Sequence, residues 1–158
     1  MPVPSDRLPH IDEHRVSIGA NAATTWEALQ RVMGNSSGSG TTTRFARLLG
    51  CVDTEASGPR PLTTGSALPG FHVERARPAE ELALAGAHRF SDYALIFRLD
   101  AEDGGRTLLR AETRAAFPGL KGGGYRALVI GTRIHVLATR RLLGATKRLA
   151  EARGTEEP

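Results

Sequence analysis

Between Phe71 and Phe117 the chain alternates apolar and polar side chains, broken only at short turn signals. A period of two commits a segment to extended strands with one buried and one solvated face. The clearest stretch is 106–117. There Thr107, Leu109, Ala111, Thr113, Ala115 and Phe117 share one face, and Arg106, Leu108, Arg110, Glu112, Arg114 and Ala116 share the other. Residues 71–77 alternate until Pro78 breaks the run. Residues 81–90 set Leu82, Leu84, Gly86, His88 and Phe90 against Ala83, Ala85, Ala87 and Arg89. Residues 93–100 put Tyr93, Leu95, Phe97 and Leu99 on one side. Ser91-Asp92 reads as a turn, and Glu102-Asp103-Gly104-Gly105 as a hairpin signal. Connections this short join antiparallel neighbours, so the centre of the chain is an antiparallel sheet.

The flanks are helical in pattern. Residues 13–20 read as an opening strand with Val16 and Ile18 on one face. Thr24-Thr25-Trp26-Glu27 has the form of a capping box, with Thr24 as the cap. Trp26, Leu29 and Met33 follow as one stripe, and Gly34 is the expected stop. Residues 34–43 are a Gly/Ser/Thr loop, 44–49 suit a short helix, and 50–70 form a long Gly- and Pro-rich connection. After Gly122-Gly123-Gly124, a hinge by composition, residues 125–152 predict one long helix. Its apolar arc is Ala127, Ile130, Ile134, Leu137, Ala138, Ala145 and Leu149. Helices before and after a run of antiparallel strands make an α+β fold with the helices on one sheet face. The expected organisation is a flexible arm over 1–11, one domain over 12–152 and a flexible tail over 153–158.

Several function classes are disfavoured. The 158 residues suit one domain, and a lone cysteine, Cys51, excludes an intrachain disulfide or a multi-cysteine zinc site. Cys51 itself reads as a buried, inert thiol. No two histidines have metal-ligand spacing, and neither a nucleophile elbow nor a phosphate-binding loop is present, so neither metal nor cofactor is expected. No apolar run reaches the roughly 20 residues of a membrane span, and residues 1–6 do not resemble a secretory leader. A cytoplasmic protein is the resulting expectation. The pI near 10.0 comes from one segment, because 121–153 holds eight basic residues and one acidic. Arg126, Arg133, Arg140 and Lys147 recur every seven residues, a nearly straight ridge on an unbroken helix. It lacks interleaved aromatics for base stacking, so nucleic acid is not the expected partner and a solvated helix face is. A homodimer is left open.

Four stretches carry a family resemblance: the first helix with Trp26-Glu27-Ala28-Leu29, then Leu68-Pro69-Gly70-Phe71, His88-Arg89-Phe90-Ser91, and Tyr125-Arg126-Ala127-Leu128-Val129-Ile130-Gly131. Over residues 12–152 the chain resembles the START-like superfamily, also called SRPBCC or Bet v 1-like, which includes polyketide cyclase-like proteins. The resemblance implies a helix-grip fold: a curved antiparallel sheet wrapped around a long C-terminal helix, with two short helices after the first strand. It also implies a cavity under that helix for a small hydrophobic or amphipathic molecule.

Combined with the strand faces, the resemblance implies a cavity lining. The first helix and the first two central strands supply Trp26, Phe71, Val73, Leu84, His88 and Phe90. The next two strands supply Leu95, Phe97, Leu109, Thr113 and Phe117, and the last helix Tyr125 and Val129. His88, Thr113 and Tyr125 are the polar groups expected to orient a ligand. The expected function is ligand binding without catalysis. The alternative is a cyclase- or dehydratase-like enzyme with His88 or Tyr125 as acid or base. Each residue has a plainer reading too: His88 as a satisfied histidine near a strand end, Asp92 as a turn former. His72, paired in sequence with Glu74, is expected to be exposed, and His135 to lie nearly opposite the apolar arc of the last helix.

Overall fold

The structure, a computed structural model, describes residues 3–36, 44, 48, 51, 53 and 55–155, with side chains except those of 36, 120, 122, 128–132 and 134. The elements are β1 (His10–Ile18), α1 (Ala22–Ser36), β2 (Ala67–Leu68), β3 (Phe71–Arg77), β4 (Glu81–His88), β5 (Ser91–Glu102), β6 (Arg106–Ala116), α2 (Gly119–Thr132) and α3 (Ile134–Gly154). The strands form one antiparallel sheet in the order β1-β6-β5-β4-β3-β2. The architecture is the expected α+β helix grip. The second short helix expected over 44–49 falls largely outside the described residues.

Antiparallel register aligns the apolar strand faces into rows. One row is Asp12–Thr113–Leu95–Leu84–Val73, and the next contains His14, Ala111, Phe97 and Leu82. Phe97, Leu82, Leu84 and Leu109 are fully buried, packed with Leu29 and Met33 of α1 and Leu143 and Ala150 of α3. Each such side chain contributes roughly 1.5–3 kcal/mol of burial energy, so this row of contacts fixes both helices on the sheet. The strand faces are those read from the sequence.

Three local expectations are corrected. Helix α1 is capped by Asn21, not Thr24: the Asn21 side-chain oxygen accepts from the Thr24 amide at 2.8 Å and its carbonyl from the Thr25 amide at 2.9 Å. Asn is at least as good a cap as Thr, and the helix continues past Gly34 to Ser36. The β4–β5 turn is Arg89-Phe90, because His88 pairs with Ser91. Residues 5–11 are not a loose arm. Ser5 donates its amide to Glu74, Arg114 reaches the carbonyls of Asp6 and Leu8, and the chain enters β1 at His10. This segment runs from β3, where Ser5 meets Glu74, to β6, where Arg114 holds Asp6 and Leu8.

The largest departure lies in the C-terminal helix. It starts at Gly119, so the glycine run is helical rather than a hinge, and it breaks at Arg133, which has φ 54° and ψ 24°. That left-handed residue resets the helical phase. The buried face of α3 is Thr139, Leu143, Thr146 and Ala150, while Leu137 of the expected arc is 52% exposed. The two threonines fit an apolar interface because each hydroxyl donates to the carbonyl four residues back, His135 and Leu142, at 2.8 and 2.9 Å. The break also divides the basic ridge. Arg126 and Arg140 are exposed on separate helices, while Lys147 donates to the Ser17 carbonyl at 3.0 Å. The tail is helical through Gly154, and Arg153 bonds Glu27 of α1. No helix among the described residues is long and apolar enough to cross a membrane.

Candidate functional site

Inner-face exposure changes along the strands. Toward the α1 and α3 end, Leu82, Phe97 and Leu109 are inaccessible. Two to four residues along the same strands, Thr113 and Tyr93 are only half-buried, as are Asp12, His14 and Phe71 on flanking strands. β5 and β6 are interior strands, so accessible side chains on their helix-covered face require open space above them. The inner face is therefore fully buried at one end and partly accessible at the other.

Six rings gather at the partly accessible end. Tyr93 projects inward two residues before Leu95, over Gly86 of β4. Its hydroxyl donates to the Gly70 carbonyl in the turn between β2 and β3. Phe71 meets Tyr93 edge-on at 5.2 Å between centroids, and His88 lies 5.3 Å from Tyr93. Tyr125 comes down from α2 to pack edge-on against His88 at 4.8 Å and stacked on Phe90 at 5.5 Å, with Phe117 at 6.4 Å. Such ring pairs add about 0.5–1.5 kcal/mol each beyond area burial. They tie α2 to the β4–β5 turn.

The hydrogen bonding fixes what His88 can do. Its Nδ1 accepts the Phe90 backbone N–H at 3.1 Å. Burial lowers its pKa and a nearby Asp92 pulls the other way, the net shift being downward. The neutral ring therefore carries its proton on Nε2 and offers a ligand a donor. Burial raises the phenols of Tyr93 and Tyr125, and the Cys51 thiol adds to both shifts, so both hydroxyls stay protonated. Cys51 is half-buried, with Sγ 3.7 Å from the Tyr93 hydroxyl. His72 is not free: its Nδ1 is 3.0 Å from Asp53.

Of the lining read from the sequence, Phe71 and His88 meet Tyr93, His88, Phe90 and Phe117 meet Tyr125, and Thr113 lies on the same inner face. Val73, Leu84, Phe97 and Leu109 do not line a space; they are at most 1% exposed, packed in the core, and Leu95 is 8% exposed at its edge. Trp26 lines a different feature, an open groove of about 490 Å³ between α1, the Arg60–Leu62 segment and Arg153. The Val129 side chain lies outside the described ones. Four residues not assigned to the site from sequence face the inner side: Tyr93, Asp12, His14 and His135. His135 at the start of α3 places Nε2 2.8 Å from Oδ2 of Asp12 on β1, and His14 Nε2 is 3.4 Å from the same oxygen. No three His, Cys, Asp or Glu side chains among the described residues are placed to hold a metal ion.

No family model matches the chain, and no curated protein matches it in sequence. Solved structures share its fold. The Zhui aromatase/cyclase from Streptomyces sp. R1128 is 17% identical, with a TM-score of 0.55 over 94% of this chain and 99% of that one. Ara h 8.0201 is 10% identical, with a TM-score of 0.53 over 92% and 97%. CalU16 from Micromonospora echinospora is 20% identical, with a TM-score of 0.51 over 91% and 83%. At these identities the likeness shows the fold, the Bet v 1-like helix grip, and no activity.

Proposed function

We propose that the protein binds a small hydrophobic or amphipathic molecule between the inner sheet face and α2, against Tyr93, His88, Phe90 and Tyr125. The observation that carries this is the partial exposure of Tyr93 and Thr113 on the covered face of interior strands, beside fully buried neighbours. An apolar, aromatic wall with few polar groups suits a small-molecule site. A cyclase- or dehydratase-like activity is the second reading, supported by the 4.8 Å approach of His88 and Tyr125 and by the aromatase/cyclase that shares the fold. Binding is favoured because His88 Nδ1 is occupied by the Phe90 amide, leaving a donor rather than a free base.

The test uses the neutral dye N-phenylnaphthylamine. It should bind saturably with one site, and at a hundred times its Kd raise stability by about 2.7 kcal/mol. Thr113→Trp should fill the space and abolish binding while the protein still folds. A folded Thr113→Trp variant that binds the dye as the wild type does would refute the location. His88→Ala should weaken dye binding by about tenfold at most.

A further inference from the structure

The groove beside Trp26 is a second concave feature, apart from the inner sheet face. With 3.6 residues per turn, Trp26, Glu27, Gln30, Arg31 and Gly34 fall on one half of α1. Ala28, Leu29 and Met33 fall on the half buried in the core. Facing α1 across the groove is the Arg60–Leu62 segment, which Gln30 ties to the helix. Its Nε2 donates to the Leu62 carbonyl at 3.0 Å, and its Oε1 accepts the Leu62 amide at 2.7 Å. The two walls are thus fixed to each other by the protein's own hydrogen bonds. The groove volume of about 490 Å³ lies within the roughly 300–1,000 Å³ of small-molecule sites.

The lining joins one aromatic surface to an excess of positive charge. Trp26, the only tryptophan of the chain, packs against the core and stays partly accessible in the groove. Gly34 leaves room beside it, since a Cβ there would meet no atom within 4 Å. Three arginines and one glutamate line the groove. Arg153 is paired with Glu27 at 3.2 Å. Arg60 donates to the carbonyls of Ser57, Pro59 and Ala67 at 3.1, 3.0 and 3.0 Å, which hold the guanidinium in place without neutralising it. Arg31 is exposed and makes no hydrogen bond or ion pair among the described residues. Two positive charges are therefore unbalanced.

This combination selects a class of ligand. An indole face and a guanidinium plane both stack on planar rings, and guanidinium groups pair with the oxygens of an acid group. A neutral ring would leave the arginines unused, an inorganic anion would leave the indole unused, and a cation would be repelled. We propose that the groove binds a small aromatic anion, with its ring against Trp26 and its acid group on Arg31 and Arg60. The site is separate from the ligand space between the sheet and α2 and does not rest on it.

Anilinonaphthalenesulfonate tests this, because it is N-phenylnaphthylamine with one sulfonate added. In protein saturated with the neutral dye, it should still bind one site by calorimetry and quench the Trp26 emission. Arg31→Glu should weaken that binding about fivefold at low ionic strength, and less in added salt. Gly34→Leu should abolish it by filling the groove and should leave N-phenylnaphthylamine binding unchanged. The same variant should melt at a higher temperature, because leucine is a better helix former than glycine. The groove is overturned as an anion site if the sulfonate finds no site in the presence of the neutral dye, or if a folded Gly34→Leu or Arg31→Glu variant binds it as the wild type does.

Discussion

Gly86→Ala tests how the aromatic end of the site is built. Gly86 sits mid-strand in β4, opposite Tyr93 of β5, with the tyrosine ring lying across it. An alanine Cβ would stand 2.6 Å from Tyr93 Cε2, and closer still to the Gly70 carbonyl oxygen. Carbon pairs rest near 3.5–4.0 Å, so the ring and the 70 turn must retreat by about 1 Å. That retreat breaks the bond from the Tyr93 hydroxyl to the Gly70 carbonyl and spoils the packing on Phe71 and His88. Overpacking costs about 1–3 kcal/mol, and the lost hydrogen bond about 0.5–1.5 kcal/mol. Against these, replacing glycine in an ordinary strand conformation stabilises by about 0.4–1 kcal/mol through the unfolded chain. The net expectation is a loss of about 1–3 kcal/mol, read as a lower urea midpoint with an unchanged slope. The sign is decisive, because without the close approach alanine would raise the midpoint. In a Tyr93→Ala background the same substitution should cost at least about 1 kcal/mol less. An unchanged or higher midpoint for Gly86→Ala, or no coupling to position 93, would refute this account of the site.

Two further expectations concern the scaffold. Burial opposes ionisation of Glu112 on the convex face, but hydrogen bonds from His10, Arg98 and Arg114 outweigh it and hold the carboxyl at about 2. A depressed carboxyl stabilises fully above its unfolded pKa and loses that contribution as pH falls through the folded one. Glu112→Gln should thus cost up to about 3 kcal/mol at pH 7, with the gap to wild type shrinking from about pH 4.5 downward and nearly closed near pH 2; urea midpoints across that range check it. Arg133→Gly should stabilise by about 0.5–1 kcal/mol, because a left-handed L-residue costs roughly 1–2 kcal/mol and glycine returns part of that as chain entropy. In a continuous helix the same change would cost about 1 kcal/mol, so the direction of the shift in melting temperature reports the break.

The strands were legible because their inner and outer residues differ in kind. Leu109 and Arg110, or Phe97 and Arg98, cannot exchange faces without burying a guanidinium. The same alternation carried back from Ile18 and Val16 places His14 and Asp12 on the inner face. That signal is present in the sequence, and the polar character of both residues masks it. The helix break was not legible. Arg133 has no side-chain feature that marks a left-handed residue, and the glycines that suggest flexibility lie 9–14 residues earlier, inside α2. Assuming one unbroken helix rotated every later position, which put Leu137 inside and His135 outside. Thr139 and Thr146 compounded the error, since a buried threonine bonded to its own helix looks polar in a sequence and behaves as apolar in the interface.

The two helices over the sheet are held by different means, and the division matches that of the sheet face beneath them. α3 is fixed by buried Leu143 and Ala150, by Lys147 to the Ser17 carbonyl, by Glu151 to the Gly19 amide at 2.9 Å, and by Arg153 to Glu27. These contacts lie over the fully packed end of the sheet. α2 has five glycines among its 14 residues, and each costs a helix interior up to about 1 kcal/mol relative to alanine. Such a segment has little helical stability of its own, so tertiary contact must supply it. Tyr125 packing on His88, Phe90 and Phe117 is one such contact. The rings proposed to line the ligand site are therefore also rings that hold α2 down. Any molecule that inserts among them competes with the attachment of the helix, and one that stacks on them while leaving Tyr125 in place reinforces it.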